Sequence, residues 1–347
     1  MNLPRPRRIL QIGYGAFGET HLRAWLALGL ADRLTIAEPR PEARATAAAI
    51  SPASELIADY REALAASDLV DLLTPTDTHH AIAAVVLDAG KPLLIEKPIA
   101  CTEAEAADLA RRARRAGVLV LGGYYFRYHP KTLWLQRQLA AGGLGRIRLL
   151  SGRFAGFKRT RADAGALLND AVHFLDLFVW LLQSAPAKIY AVTRDHFGRG
   201  REDFALLVLE FPDGAVAQIE AGYVQPGRWP DAVVPGALTS KEISVSGSAG
   251  SIEIDYAAET IVRHCVHHAE VNGQWQPQFA ATPAPEVPGA GPVEVVTAEL
   301  RRLLEDYAGG CDRPGDGLDG GVLLARILDA ARRSAAVGQA VTLAEPN

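Results

Sequence analysis

The apolar run Leu93-Leu94-Ile95 ends in Glu96-Lys97-Pro98, which puts a lysine where a buried strand stops. Three consecutive apolar residues read as a parallel strand covered on both faces. Pro98 lacks an amide hydrogen and cannot continue a ladder. Lys97 therefore falls at the carboxyl edge of a sheet, where open α/β folds bind their ligands. The chain has six lysines against 30 arginines, so a lysine at this point carries information. A second polar group interrupts a very apolar helix, Asn169-Asp170-Ala171-Val172-His173-Phe174-Leu175-Asp176. Helical spacing sets Asn169 four residues and Asp170 three residues before His173 on a shared face, with Asp176 three residues after it. Histidine near its ordinary pKa suits general-base work at neutral pH.

Positions 13 to 18 read Gly13-Tyr14-Gly15-Ala16-Phe17-Gly18, directly after a strand and opening a helix. In that context the three glycines serve a tight turn, a close backbone approach to a pyrophosphate, and close helix–strand packing. The helix N-terminus adds N–H groups and the positive end of its dipole. Glu38 lies 25 residues after Gly13, at the end of the next strand. A carboxylate there accepts from a ribose diol and repels a 2′-phosphate, which favours NAD. Arg40, two residues on, could pair with that phosphate and admit NADP. At a further strand end, Thr74-Pro75-Thr76-Asp77-Thr78-His79-His80 halts the strand at Pro75, and Asp77 or Thr78 is expected to cap the following helix.

Positioning these groups takes alternating βα units. Strands are expected at 9–12, 34–37, 69–73, 93–95 and 118–121, with helices at 17–28, 41–50, 78–89 and 102–116. The last helix has a capping box, Thr102 with Glu105. Around Tyr124-Tyr125-Phe126-Arg127-Tyr128-His129-Pro130 the period shifts to alternating strands, at 146–157, 188–194, 204–211, 215–224, 242–246 and 251–256. Asp213-Gly214 joins two of them as a hairpin. Helices at 165–182, 293–308 and 318–337 accompany this sheet, and 282–292 reads as a loop. The fold class is α/β. A doubly wound parallel domain occupies 1–123, and an α+β domain with a large, mostly antiparallel open sheet occupies 124–347.

Composition narrows the function. Hydrophobic residues make up 49% and charged residues 22%, a globular balance. A net charge of −4 gives no support for a nucleic-acid or anionic-membrane partner, and the arginines at 111–115 read as a solvated helix face. Cys101, Cys265 and Cys311 form no CxxC pair, which fits a reducing cytoplasm rather than a disulfide framework. No apolar run approaches a membrane span, and the Pro- and Arg-rich start is no signal peptide. In Arg263-His264-Cys265-Val266-His267-His268, strand alternation would split the ligands between two faces, so no metal is expected.

Taken together, the Gly13–Gly18 turn, Thr74-Pro75 with His79, Glu96-Lys97-Pro98, Arg127 before Pro130, and the helix bearing His173 and Asp176 resemble the Gfo/Idh/MocA oxidoreductases in order and spacing. The resemblance covers nearly the whole chain, and Glu-Lys-Pro is its most specific element. It implies a nicotinamide-dependent dehydrogenase or reductase of a sugar, polyol or nucleotide-sugar hydroxyl. It further implies a homodimer or homotetramer formed through the open sheet. Lys97 would hold and polarise the substrate oxygen, and His173 would take its proton. Thr74, Pro75, Thr76, His79 and Glu96 would line the nicotinamide-ribose region, with Tyr125, Arg127 and Asp170 bordering the substrate. Many members carry aspartate four residues before the histidine, and here that residue is Asn169. An amide cannot stabilise an imidazolium by charge, which leaves the supporting role to Asn169 or to Asp170. The same resemblance admits an enzyme that cleaves a glycoside with transiently used NAD, or a cofactor-sensing regulator without chemistry.

Overall fold

The computed structural model describes residues 6–281, 285–309 and 317–343; Cys311 and the start of the 282–292 loop lie outside them. The first half alternates strictly: β1 (Ile9–Ile12), α1 (Ala16–Ala27), β2 (Leu34–Ala37), α2 (Pro41–Ile50), β3 (Glu55–Ile57), α3 (Arg61–Leu64), β4 (Leu69–Leu72), α4 (Thr76–Asp88), β5 (Leu93–Glu96), α5 (Glu103–Ala116) and β6 (Val120–Gly123). All six strands are parallel, in the order β3-β2-β1-β4-β5-β6. The order reverses between β1 and β4, which opens a crevice at their carboxyl ends. Strands β1, β2, β4, β5 and β6 are buried along their whole length, as apolar runs covered by helices on both faces should be. Thr102 caps α5 by accepting from Glu105 N, while Glu105 reaches back to Cys101 N.

After α6 (Pro130–Ala140) come β7 (Ile147–Ala155), a π-turn at Leu167–Ala171, α7 (Val172–Leu182), β8 (Lys188–Arg194), β9 (Phe204–Glu210), β10 (Val216–Gly222), β11 (Trp229–Pro230), β12 (Leu238–Gly247), β13 (Ser251–Asp255) and β14 (Thr260–His264). Then follow β15 (Val266–Val271), β16 (Gln274–Phe279), α8 (Pro292–Gly309), α9 (Leu318–Val337) and β17 (Val341–Thr342). Among the described residues β14-β13-β12-β7-β10-β9-β8-β17 form one sheet, with β11 beside β12. Only β7 and β10 pair in parallel there. The strand period of two sorts its faces. Leu150, Ile219, Leu207, Ile189, Val245 and Ile252 are buried on one, whereas Leu149, Tyr190 and Val262 are exposed on the other.

Two compact units result, Met1–Tyr128 with Gly291–Arg326, and His129–Ala290 with Ile327–Asn347. In the first unit α8 returns to pack on α1. The histidine-rich segment is divided rather than continuous: His264 ends β14, and His267 and His268 sit in β15. Among the described residues no helix is long and apolar enough to cross a membrane, and Cys101 and Cys265 are in no disulfide.

Candidate active site

The glycine turn follows β1. Gly13 has φ +100°, and a Cβ there would lie 2.9 Å from the Leu73 carbonyl carbon and oxygen. At Gly18 a Cβ would meet Gly13 O at 2.8 Å. Gly15 is different: its Cβ would meet nothing within 4 Å, and Gly15 and Ala16 are exposed. The turn is thus tight from beneath and open above, with room for a pyrophosphate to lie against the backbone at the start of α1. No side chain caps that helix N-terminus, which leaves its dipole end to a ligand. Gln11 fastens the turn, its buried Nε2 donating to Gly13 O at 3.1 Å and Gly18 O at 3.0 Å. Sequence reasoning passed over Gln11; its signal is a polar residue inside an otherwise apolar strand.

Glu38, just past β2, is buried. It accepts from Tyr14 N at 2.9 Å, Arg40 N at 3.1 Å and Arg40 Nε at 2.7 Å. Burial alone would raise its pKa, but these hydrogen bonds and the Arg40 charge hold it below the usual carboxylate range. Arg40 also donates to Tyr14 O at 3.0 Å, so its guanidinium is committed to the turn. Burial pushes the Tyr14 phenol up to about 12.

The ends of β4 and β5 are tied together by His79, whose ring is buried. Its Nε2 lies 2.8 Å from Thr74 O and its Nδ1 2.8 Å from Pro98 O. Two carbonyl acceptors on one ring are both satisfied only when both nitrogens carry hydrogen. The capping expectation at this turn needs correction. Helix α4 begins at Thr76, Pro75 occupies the cap position without a side-chain bond, and the Thr78 hydroxyl donates to Pro75 O at 2.7 Å. Pro75 needs no N–H partner at a helix start, so the helix begins too early for Asp77 or Thr78 to cap it. Glu96 Oε2 accepts from Lys97 N at 3.0 Å, and Lys97 is half-buried just beyond β5. Tyr125 and Arg127 lie in a buried 3₁₀ turn, Tyr125 edge-on to Phe17 at 5.6 Å and Arg127 over the Tyr124 ring at 4.9 Å. The first unit therefore gathers Gly13 to Gly18, Glu38, Arg40, Thr74 to Thr76, His79, Glu96, Lys97, Tyr125 and Arg127.

The second unit holds the other set. Instead of one regular helix, a π-turn at Leu167–Ala171 leads into α7. The wider turn alters the four-residue phase between Asn169 and His173, and such insertions concentrate at functional sites. Asp170 Oδ1 receives Asn169 Nδ2 at 2.7 Å and Lys158 Nζ at 2.6 Å, both in buried surroundings. The Asp170 carboxylate thus comes with its own counter-charge. Lys158 stands over the Phe154 ring at 4.3 Å, and Phe154 lies 5.1 Å from His173. Behind it, Lys241 pairs with Asp231 at 2.9 Å. Burial draws the Lys241 ammonium down, against the pull of Asp231. Burial would raise Asp231, but Lys241 and the N–H groups of Val233 and Val234 hold it at about 2. Burial, then the Asp170 charge, pushes the Tyr223 phenol well up, so it stays neutral. Lys158, Lys241, Phe154 and Tyr223 were not anticipated, although the scarcity of lysine was a signal for two of them.

Residues 7–124 match the GFO_IDH_MocA family, described as an oxidoreductase family with an NAD-binding Rossmann fold. Residues 132–253 match the GFO/IDH/MocA C-terminal domain. The chain is 30% identical to inositol 2-dehydrogenase 2 of Saccharopolyspora erythraea, over 73% of this chain and 74% of that protein. It is 29% identical to UDP-N-acetylglucosamine 3-dehydrogenase of Acidithiobacillus ferrooxidans, over 62% of this chain and 68% of that protein. A solved levoglucosan dehydrogenase, in complex with NADH and levoglucosan, shares the fold with a TM-score of 0.82 at 21% identity, covering 97% of this chain and 99% of the other.

Proposed function

We propose that this chain, which belongs to the Gfo/Idh/MocA family of NAD-dependent oxidoreductases, oxidises a secondary alcohol of a sugar, polyol or nucleotide-sugar, or reduces the corresponding ketone. The observation that carries the reading is the Gly13–Gly18 turn, closed to a Cβ at Gly13 and Gly18 and open at Gly15, with Glu38 beside it. These residues fit a dinucleotide, and the Glu38 carboxylate favours NAD over NADP, although Arg40 bound to it offsets part of its charge. NAD, when bound, supplies the hydride acceptor. Lys97 donates to the substrate oxygen and steadies the alkoxide that forms as the hydroxyl proton leaves. His173 takes that proton, and Asn169 and Asp170 set its surroundings. Thr74, Pro75, Thr76, His79 and Glu96 border the nicotinamide ribose, while Tyr125, Arg127 and Asp170 shape the substrate side. The protein acts in the cytoplasm as a homodimer or homotetramer through the open face of the large sheet, a reading supported by exposed Leu149, Tyr190 and Val262 on that face.

The test is a fluorescence titration with NADH and NADPH, followed by an absorbance screen at 340 nm against sugars and polyols. Expected are tighter binding of NADH, turnover of at least one panel member, and loss of turnover with retained NADH binding in Lys97→Ala. Full activity of Lys97→Ala would remove Lys97 from the mechanism. Tight NADH binding with no net turnover on a broad panel would favour a non-redox or sensing use of the cofactor.

A further inference from the structure

Beneath the first sheet's crevice lies a group of ionisable side chains of which the hydride-transfer reading uses only Glu96. His21 on α1 and Glu299 on α8 are fully buried, and so is Asp71 on β4. Glu96, at the end of β5, is nearly so. His21 Nδ1 lies 3.0 Å from Asp71 Oδ2, which also accepts from Trp25 Nε1 at 2.8 Å. His21 Nε2 faces Glu96 Oε1 at 3.6 Å. Among the described residues, both oxygens of Glu299 and Oε1 of Glu96 have no hydrogen-bond partner. Ligand-type atoms of His21, Glu96 and Glu299 all lie within 4.8 Å of one another.

Three carboxylates in so small a dry space cannot all be ionised against one imidazole. Two occupants could settle the balance: a divalent cation or protons. A carboxylate 3.0 Å from Nδ1 and a second one 3.6 Å from Nε2 favour an imidazolium for His21, whose two nitrogens both carry hydrogen and cannot ligate a metal. Arg127, from the 3₁₀ turn packed on α8, adds a second positive charge to the surroundings of Glu299. With His21 cationic and Glu299 neutral, the positive charges of His21 and Arg127 match the negative charges of Asp71 and Glu96.

We propose that Glu299 stands as a neutral acid against the Glu96 carboxylate, and that His21, Asp71 and Glu299 together act as positioning residues for Lys97. The link is Glu96. Its Oε2 holds Lys97 N, and its other oxygen is turned towards His21 and packed where Gly123 has no side chain, a Cβ there lying 2.5 Å from Oε1. Burial raises Glu299 well above 4.5, and Glu96 and Asp71 raise it further against the opposing charges of His21 and Arg127. Burial alone would lower His21, but Asp71 and Glu96 carry it up to about 10. The proposal rests on the reading of Lys97 as part of the cofactor and substrate site.

Its test compares the full-length wild type with Glu299→Gln and Glu299→Ala. A folded acid that keeps a proton which the unfolded chain releases above about 4.5 loses stability as pH rises. His21 acts in the same direction only above about 6.5. Between roughly pH 5 and 6.5 the wild-type folding constant, from urea titrations, should therefore fall up to about tenfold per pH unit relative to Glu299→Gln. Glu299→Ala should lower kcat at least tenfold while NADH binding is retained, and Glu299→Gln should restore kcat to within about threefold, since an amide stands in for the neutral acid. Parallel pH profiles would overturn the proposal, and so would one equivalent of bound metal in the purified wild type that is missing from Glu299→Gln. Unchanged kcat in Glu299→Ala would overturn the positioning role. Failure of the wild type to bind NADH at all would bring down the function reading and the positioning role together. Parallel pH profiles with NADH binding intact would instead sink this proposal alone.

Discussion

Replacing Glu38 by glutamine keeps the size of the side chain and removes its charge, so it isolates the electrostatic part of cofactor choice. Glu38 is ionised across the neutral range because Arg40 and two backbone N–H groups hold its pKa down. Two unit charges about 5 Å apart repel by about 3 kcal/mol at an effective dielectric near 20. Arg40, bound to Glu38 at 2.7 Å, cancels part of that field, and physiological salt screens more of it. About 1.5 kcal/mol against a 2′-phosphate is a reasonable remainder, roughly a tenfold preference for NADH over NADPH. A hydrogen bond to a charged acceptor exceeds a neutral one by about 1 kcal/mol. Glu38→Gln should accordingly weaken NADH about fivefold while tightening NADPH, and bring the affinity ratio close to one. Arg40→Ala should move the ratio the other way, since the carboxylate then stands uncompensated. The assay is parallel fluorescence titration with both cofactors at fixed ionic strength, repeated at high salt, where the wild-type preference should shrink. A ratio unchanged in Glu38→Gln would refute the placement of Glu38 against the adenosine ribose, whatever happened to overall affinity.

Two further outcomes follow from the second unit. Asn169→Asp puts a second carboxylate on Asp170, where Asn169 Nδ2 now donates at 2.7 Å. It should cost about 1–3 kcal/mol at pH 7 and recover much of that near pH 4.5, where the pair can share a proton; thermal melts at the two pH values decide. If Asn169 also touches His173, the same variant should raise the pKa that governs the basic limb of the rate, and an unchanged pH profile would argue against that contact. Asp231, held at about 2 against an ordinary 3.8, adds stability that is fully present above pH 4 and disappears as pH falls through 2. A loss of about 2 kcal/mol over that interval should appear in acid titrations of the wild type and vanish in Asp231→Asn. That variant should also be much less stable at neutral pH, because it strands the buried Lys241 ammonium. A wild type and variant with the same acid slope would show that the Asp231–Lys241 pair does not hold in solution.

How far the sequence was legible depended on how local each feature is. The parallel strands were readable because a strand covered on both faces must be apolar throughout, and Gly13–Gly18 because its turn closes within six residues. Strand β3 escaped because it is three residues long and half-exposed, with Glu55 at its start. Strands β14 to β16 escaped because none of their residues is buried, so no apolar alternation is required of them. The return of α8 onto α1 has no local signature at all. The polar support of the site divides the same way. Gln11 and Asp71 each break an apolar strand, and both proved to be anchors, one for the glycine turn and one for His21 and Trp25. A polar residue in a doubly covered strand cannot snorkel to water, so it must have a partner inside. Glu299 gave no such signal, because a glutamate on a helix is ordinary until the facing helix is known. Lysine usage is the most general clue. Arginine serves mostly the surface of this chain, with Arg127 a buried exception, while Lys131, Lys158 and Lys241 are buried against Glu259, Asp170 and Asp231. A compact ammonium with three donors fits a closed pocket that a planar guanidinium would overfill. The argument that singled out Lys97 therefore extends to Lys158 and Lys241. It places two further point charges around Phe154, beside His173.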